Sequence, residues 1–75
     1  MYIDYSGLKC PLPILRAKRD LKQVPDGVTV TIISTDPSSP KDFKVFCKTL
    51  GYRFIEYNKD NEIFKIKIIK NKSSQ

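Results

Sequence analysis

Apolar and polar positions along the 75-residue chain change period several times, and each change marks an element. Residues 2–5, Tyr-Ile-Asp-Tyr, alternate weakly and predict a short strand ended by Ser6-Gly7. Ile14, Ala17, Leu21 and Val24 then recur at 3-4-3 spacing, one buried stripe of a helix. The prolines of Cys10-Pro11-Leu12-Pro13 fit that helix if Cys10 is its N-cap. Pro11 then falls at the first helical position and Pro13 at the third, where backbone N–H groups lack intrahelical partners. Lys18, Arg19 and Lys22 occupy other faces, and Pro25-Asp26-Gly27 predicts a stop near Gln23. Residues 28–35, Val-Thr-Val-Thr-Ile-Ile-Ser-Thr, are β-branched except for Ser34 and predict a central strand. After a polar loop from Asp36 to Pro40, Ser39 and Asp42 resemble a capping box, with Pro40 at the first helical position. Phe43, Phe46, Cys47 and Leu50 make the stripe of a second helix ended by Gly51. Residues 52–57 and 62–69 predict a hairpin around Asn58-Lys59-Asp60-Asn61. The tail, residues 71–75, has nothing to bury and is expected to fray.

The order β-α-β-α-β-β leaves two helix stripes and one apolar sheet face to cover each other. Right-handed crossovers place both helices on the same side. The expected fold is an α/β (α+β) two-layer sandwich, a mixed four-stranded sheet with two helices on one face, forming a single domain over residues 1–70. The other sheet face, carrying Lys65 and Lys67, is expected to be solvated.

Composition narrows the chemistry. No apolar run exceeds three residues, which argues against a membrane span or a secretory leader. The chain has no His, which removes His-containing zinc sites and His-based catalysis, and no cofactor or metal is expected. Two cysteines are too few for a disulfide scaffold and point to a reducing, cytoplasmic setting. The net charge of +6 favours anionic partners.

The two cysteines read differently. Cys47 lies on the apolar stripe of the second helix and reads as a core residue. Cys10 precedes a helix in a segment shaped by Gly7, Pro11 and Pro13. At a helix N-cap its sulfur would face the unpaired N–H groups of Leu12 and Ile14 and the positive end of the macrodipole, with Lys9 and Arg16 adding charge. A thiol pKa lowered into the range of about 3.5–7.5 is the expectation. Without a base, acyl transfer is disfavoured. Without a C-x-x-C spacing, so is dithiol oxidoreduction. A lone activated thiol suffices to accept a sulfur atom from a donor persulfide and pass it on.

Gly7-Leu8-Lys9-Cys10-Pro11-Leu12-Pro13 resembles the Cys-Pro-x-Pro signature of the TusA/SirA-like family of small sulfur-carrier proteins. The likeness continues through Gly27, Thr35-Asp36-Pro37, Lys41-Asp42-Phe43, Phe46-Cys47 and Gly51, covering roughly residues 3–70. The resemblance implies a two-layer sandwich in which Cys10 carries a persulfide. It implies a cysteine desulfurase or rhodanese-type donor and a downstream sulfur-relay protein as partners. In the best-known branch the endpoint is 2-thiolation of tRNA wobble uridine; others serve sulfur oxidation, molybdenum-cofactor or selenium metabolism. Leu12 stands where some tRNA-thiolation members carry Glu. The second-helix Cys is not usually the acceptor in this family.

Two other readings compete. The first is a non-catalytic RNA-binding module, suggested by five basic against two acidic residues in both 1–24 and 59–75. The absence of an RNP-like aromatic motif speaks against direct nucleic-acid binding, and Lys18, Lys22, Lys65, Lys67 and Lys70 read as solvating exposed faces. The second is a regulatory interaction protein in which Cys10 is only a cap. Lys9, Arg16 and Arg19 are the expected docking residues for an acidic protein partner.

Overall fold

Alternation and helical stripes become two layers in the computed structural model, which describes residues 1–71. The elements are β1 (Tyr2–Asp4), α1 (Leu12–Asp20), continued by a 3-10 turn (Leu21–Gln23), β2 (Thr29–Ser34), α2 (Ser39–Leu50), β3 (Arg53–Asp60) and β4 (Ile63–Ile69). The sheet order is β1-β2-β4-β3, with β1 parallel to β2 and the other pairs antiparallel. The sandwich is the expected mixed sheet with two helices.

Strict alternation sets the register. Val30, Ile32 and Ser34 of β2 and Phe64, Ile66 and Ile68 of β4 are buried, and the pairs Val30↔Ile68, Ile32↔Ile66 and Ser34↔Phe64 lie side by side. Ala17 and Leu21 from the first helical segment and Phe43, Phe46 and Cys47 from α2 join Val30, Ile32, Ile66 and Ile68 in one core. Phe43 and Phe46 meet edge-on at 5.5 Å, and Phe46 meets Tyr52 at 5.9 Å. The opposite face carries Lys65, exposed, and Lys67, which approaches Glu56 at 3.7 Å across the hairpin.

Several boundaries move, each for a local reason. The N-cap of α1 is Pro11, one residue later than expected, and Pro13 sits buried in the first turn. The N-cap of α2 is Ser38, one residue earlier than expected. Ser39 is buried, and its hydroxyl meets that of Ser34 at 2.6 Å, so it serves the β2–α2 junction instead of capping. The hairpin turn shrinks to Asn61-Glu62, because Asn58↔Lys65, Lys59↔Phe64 and Asp60↔Ile63 remain paired. Lys59 lies over the Phe64 ring, and Asn61 takes the left-handed conformation (φ 59°) that Asn tolerates.

Lys70 is a further correction. Its side chain is 13% exposed, its Nζ donates to the Val24 carbonyl at 2.9 Å, and Asp26 lies 3.7 Å away. It clips the chain after β4 to the turn before β2 and does not solvate a face. The expected frayed tail lies, from residue 72 onward, outside the described residues. Among the described residues no helix is long and apolar enough to cross a membrane.

Candidate functional site at Cys10

The segment from Tyr5 to Leu12 has little regular structure, yet much of its backbone is bonded. Asp4 accepts from the Ser6 N–H and hydroxyl at 2.8 and 2.6 Å. Gly7 has φ 85°, a conformation strained for any residue with a Cβ, and its N–H donates to Thr35 Oγ1 at 2.9 Å. The Leu8 N–H donates to the Tyr5 carbonyl, and the Leu12 N–H to Lys9, at 3.1 and 2.8 Å. The Cys10 N–H donates to Asp36 Oδ2. Thr35 and Asp36, in the β2–α2 loop, thus hold the Cys10 segment from across the sheet's edge.

Asp36 is the junction of the site. Its Oδ1 also accepts from the Ser38 N–H at 3.0 Å and lies 2.9 Å from the Ser38 hydroxyl, at the start of α2. The Ser38 amide, the Cys10 amide, the Ser38 hydroxyl and the charge of Lys9 together hold its carboxyl below the usual range, against a smaller effect of burial. Asp36→Ala is expected to cost about 1–3 kcal/mol and to turn the Cys10 amide into a fast-exchanging one. The folded pKa is depressed, so this stability is present above the unfolded value of ~3.9 and is lost as pH falls through the folded value. Urea midpoints of both chains across that range check it; a gap that persists below both pKa values would refute the assignment.

Cys10 is solvent-exposed and stands between two depressions. One, about 440 Å³, runs between α1 and α2 and is walled by Ile14, Val45, Phe46 and Leu50, with Lys18 and Asp42 contributing charge. The other, about 360 Å³, is walled by Gly7, Leu8, Lys9, Thr35, Asp36 and Pro37. Leu12, Leu15 and Val45 are 44%, 57% and 59% exposed on the two helices that form the groove.

The thiol pKa is raised, not lowered as expected. The largest cause is hydrogen bonding to the Asp42 carboxylate, followed by slight desolvation and the Asp42 charge; the Ser38 hydroxyl opposes and the Asp36 charge adds a little. The expectation failed because the cap is displaced by one residue. The Leu12 N–H is bonded to Lys9 and the Cys10 N–H to Asp36, and an acidic side chain from the first turn of α2, Asp42, lines the same groove as Cys10. The sequence places Asp42 in a capping box and in the stretch that carries the family likeness, with no role at the thiol; its place at a helix start, four residues after Ser38, was the available signal.

Of the expected docking residues, Lys9 lines the second depression beside Asp36. Arg16 and Arg19 lie elsewhere, near the Tyr5–Asp20 hydrogen bond of 2.6 Å, and Arg19 pairs with Asp20 at 3.3 Å. Lys18, read as solvating a helix face, lines the groove that holds Cys10. Cys47 is buried in the core, and desolvation pushes its thiol up to about 11.

Comparison with known proteins bears on the family and the fold. Residues 1–70 match the family described as Sulfurtransferase TusA. The sulfur carrier protein TusA of Allochromatium vinosum is 45% identical over 62 residues, covering 83% of this chain and 82% of that protein. The sulfur carrier protein TusA of Buchnera aphidicola is 29% identical over 68 residues, covering 91% and 86%. The crystal structure of a SirA-like protein from Desulfitobacterium hafniense superposes with a TM-score of 0.77 at 30% identity, covering 95% of this chain and 97% of that one. Family match, relatives and fold agree: the chain belongs to the TusA family.

Proposed function

We propose that this protein is a sulfur carrier in which Cys10 takes up sulfane sulfur as a persulfide and delivers it to an acceptor protein. The observation that carries this reading is the placement of the two thiols. One is exposed in an apolar groove on a segment bonded to the β2–α2 loop, and the other is sealed in the core. The transfer needs no oxidant. The Cys10 sulfur attacks the terminal sulfur of a donor persulfide, one S–S bond forms as another breaks, and the donor leaves as a thiol after picking up the Cys10 proton. Unloading is the same step with the acceptor thiol attacking.

The exposed Leu12, Leu15 and Val45 suit a protein surface better than a polyanion. Lys70 is internally bonded and Lys67 approaches Glu56, which weakens the case for an RNA-binding face. A cysteine desulfurase or rhodanese-type donor, and a relay protein leading to tRNA thiouridine, are the partners this reading names; a reducing cytoplasm is the compartment in which a free Cys10 persists. Incubation with a desulfurase and cysteine, a persulfide-selective alkylating probe and peptide mapping test it. The label is expected on the peptide containing Cys10; an unlabelled protein, or label on Cys47, overturns the proposal.

A further inference from the structure

Building on the persulfide reading, we infer that Asp42 makes Cys10 a loose holder of sulfur. Its carboxylate, standing in the same groove as the sulfur, disfavours the anionic loaded form and tilts the transfer equilibrium toward release. The placement of Asp42 is firm. It lies in the first turn of α2, its backbone N–H donates to the Ser38 carbonyl at 2.9 Å, and its Oδ2 is 3.2 Å from Ser38 Oγ. The carboxylate is therefore part of the helix and does not ride on a loop.

Charge around the sulfur comes from four groups. Asp42 and Lys18 contribute from the groove, and Asp36 and Lys9 from the other depression. The thiol is shifted upward, with Asp42 the largest cause and the Asp36 charge adding to it. Persulfides ionise more readily than thiols, so at neutral pH the unloaded Cys10 is neutral and the loaded one carries charge. A carboxylate lining the same groove acts against the charged loaded state and favours the neutral empty one, and both effects tilt the equilibrium toward release. The exchange Cys10–SH + R–S–SH → Cys10–S–SH + R–SH balances in sulfur, protons and electrons, so its equilibrium constant reads this bias directly. A carrier with its sulfur at a helix N-cap would be biased the other way and would hold its load.

The full chain is equilibrated with glutathione persulfide and glutathione, and the loaded fraction is read by intact mass. Near neutral pH, Asp42→Asn is expected to raise the partition constant about two- to tenfold, since one pKa unit on the persulfide is worth a factor of ten. Asp42→Glu is expected to stay close to wild type, and Asp60→Asn, an exposed carboxylate at the hairpin end, to change nothing. At mildly acidic pH, where both persulfides are protonated, the Asp42→Asn difference is expected to shrink. The wild type alone supplies a second measurement should Asp42→Asn fail to fold. Its partition constant falls as pH rises to neutral, because the free persulfide ionises before the bound one. An Asp42→Asn constant equal to or below wild type, or a wild-type profile flat or rising with pH, overturns the inference and leaves the carrier reading standing. A wild type that takes up no sulfur at any pH overturns the carrier reading and this inference with it.

Discussion

Cys10→Ser is expected to abolish sulfur loading completely while leaving the melting temperature essentially unchanged, and Cys47→Ser to do the reverse. Cys10 is exposed and its side chain fills no cavity, so replacing sulfur by oxygen falls within the ±0.5 kcal/mol usual for surface changes. Its backbone N–H, which bonds Asp36, survives the substitution. Cys47 is 1% exposed among Phe43, Phe46 and the sheet. A hydroxyl there exchanges a weakly polar thiol for a group that wants partners, at a cost of about 1–3 kcal/mol. Loading per folded molecule should be unaffected. The thiols are also expected to differ in alkylation. In the native chain Cys10 reacts with iodoacetamide, but more slowly near neutral pH than free cysteine, because its raised pKa shrinks the thiolate fraction. Cys47, pushed to about 11 and buried, reacts only after unfolding. Intact-mass loading, thermal melts and thiol counting with and without urea check all three statements; a Cys10→Ser chain that still loads, or a native chain with two fast thiols, contradicts them.

Phe43→Ala is expected to bring the protein to the edge of unfolding. The ring is fully buried, meets Phe46 edge-on and sits between α2 and the sheet. Truncating a buried Phe costs about 3–5 kcal/mol, combining lost transfer energy with the cavity left behind. A chain this size has a total of roughly 4–11 kcal/mol to lose. The melting temperature should drop by roughly 15–30 °C. Val45→Ala, two residues away on the exposed side of the same helix, is the matched control and should stay within about 0.5 kcal/mol. Circular dichroism melts of the two variants decide the matter, and equal drops would mean that the core is not where the burial places it.

The contrast between Phe43 and Val45 also shows what local pattern can reveal. Both helix stripes and the alternation of β2 and β4 are set by side chains that have only one apolar place to go, and the layers follow from them. The hairpin was harder to place because Asn58, Lys59 and Asp60 have turn-forming composition, while strand pairing with Lys65, Phe64 and Ile63 holds them extended. At the site, the position and exposure of Cys10 were legible, but its electrostatics were not. The charges that shift its thiol come from Asp42 and Asp36, 32 and 26 residues away in sequence, and a helix-start argument counts only the charges of its own helix. Lys70 misled in the same way, since its partner Val24 lies 46 residues away.

The bond from the Cys10 amide to Asp36 has a consequence for how the protein comes into being. During synthesis at roughly 5–20 residues per second, Cys10 leaves the ribosome seconds before the β2–α2 loop exists to hold it. Until then the chain carries a cysteine on a free segment, with neither the groove nor its acidic neighbour. The thiol acquires its working surroundings only when the second half of the fold closes over the first. The bonds by which Asp36 joins the Cys10 and Ser38 amides can therefore form only once both halves of the chain are present, so the ordered Cys10 loop is a late product of folding.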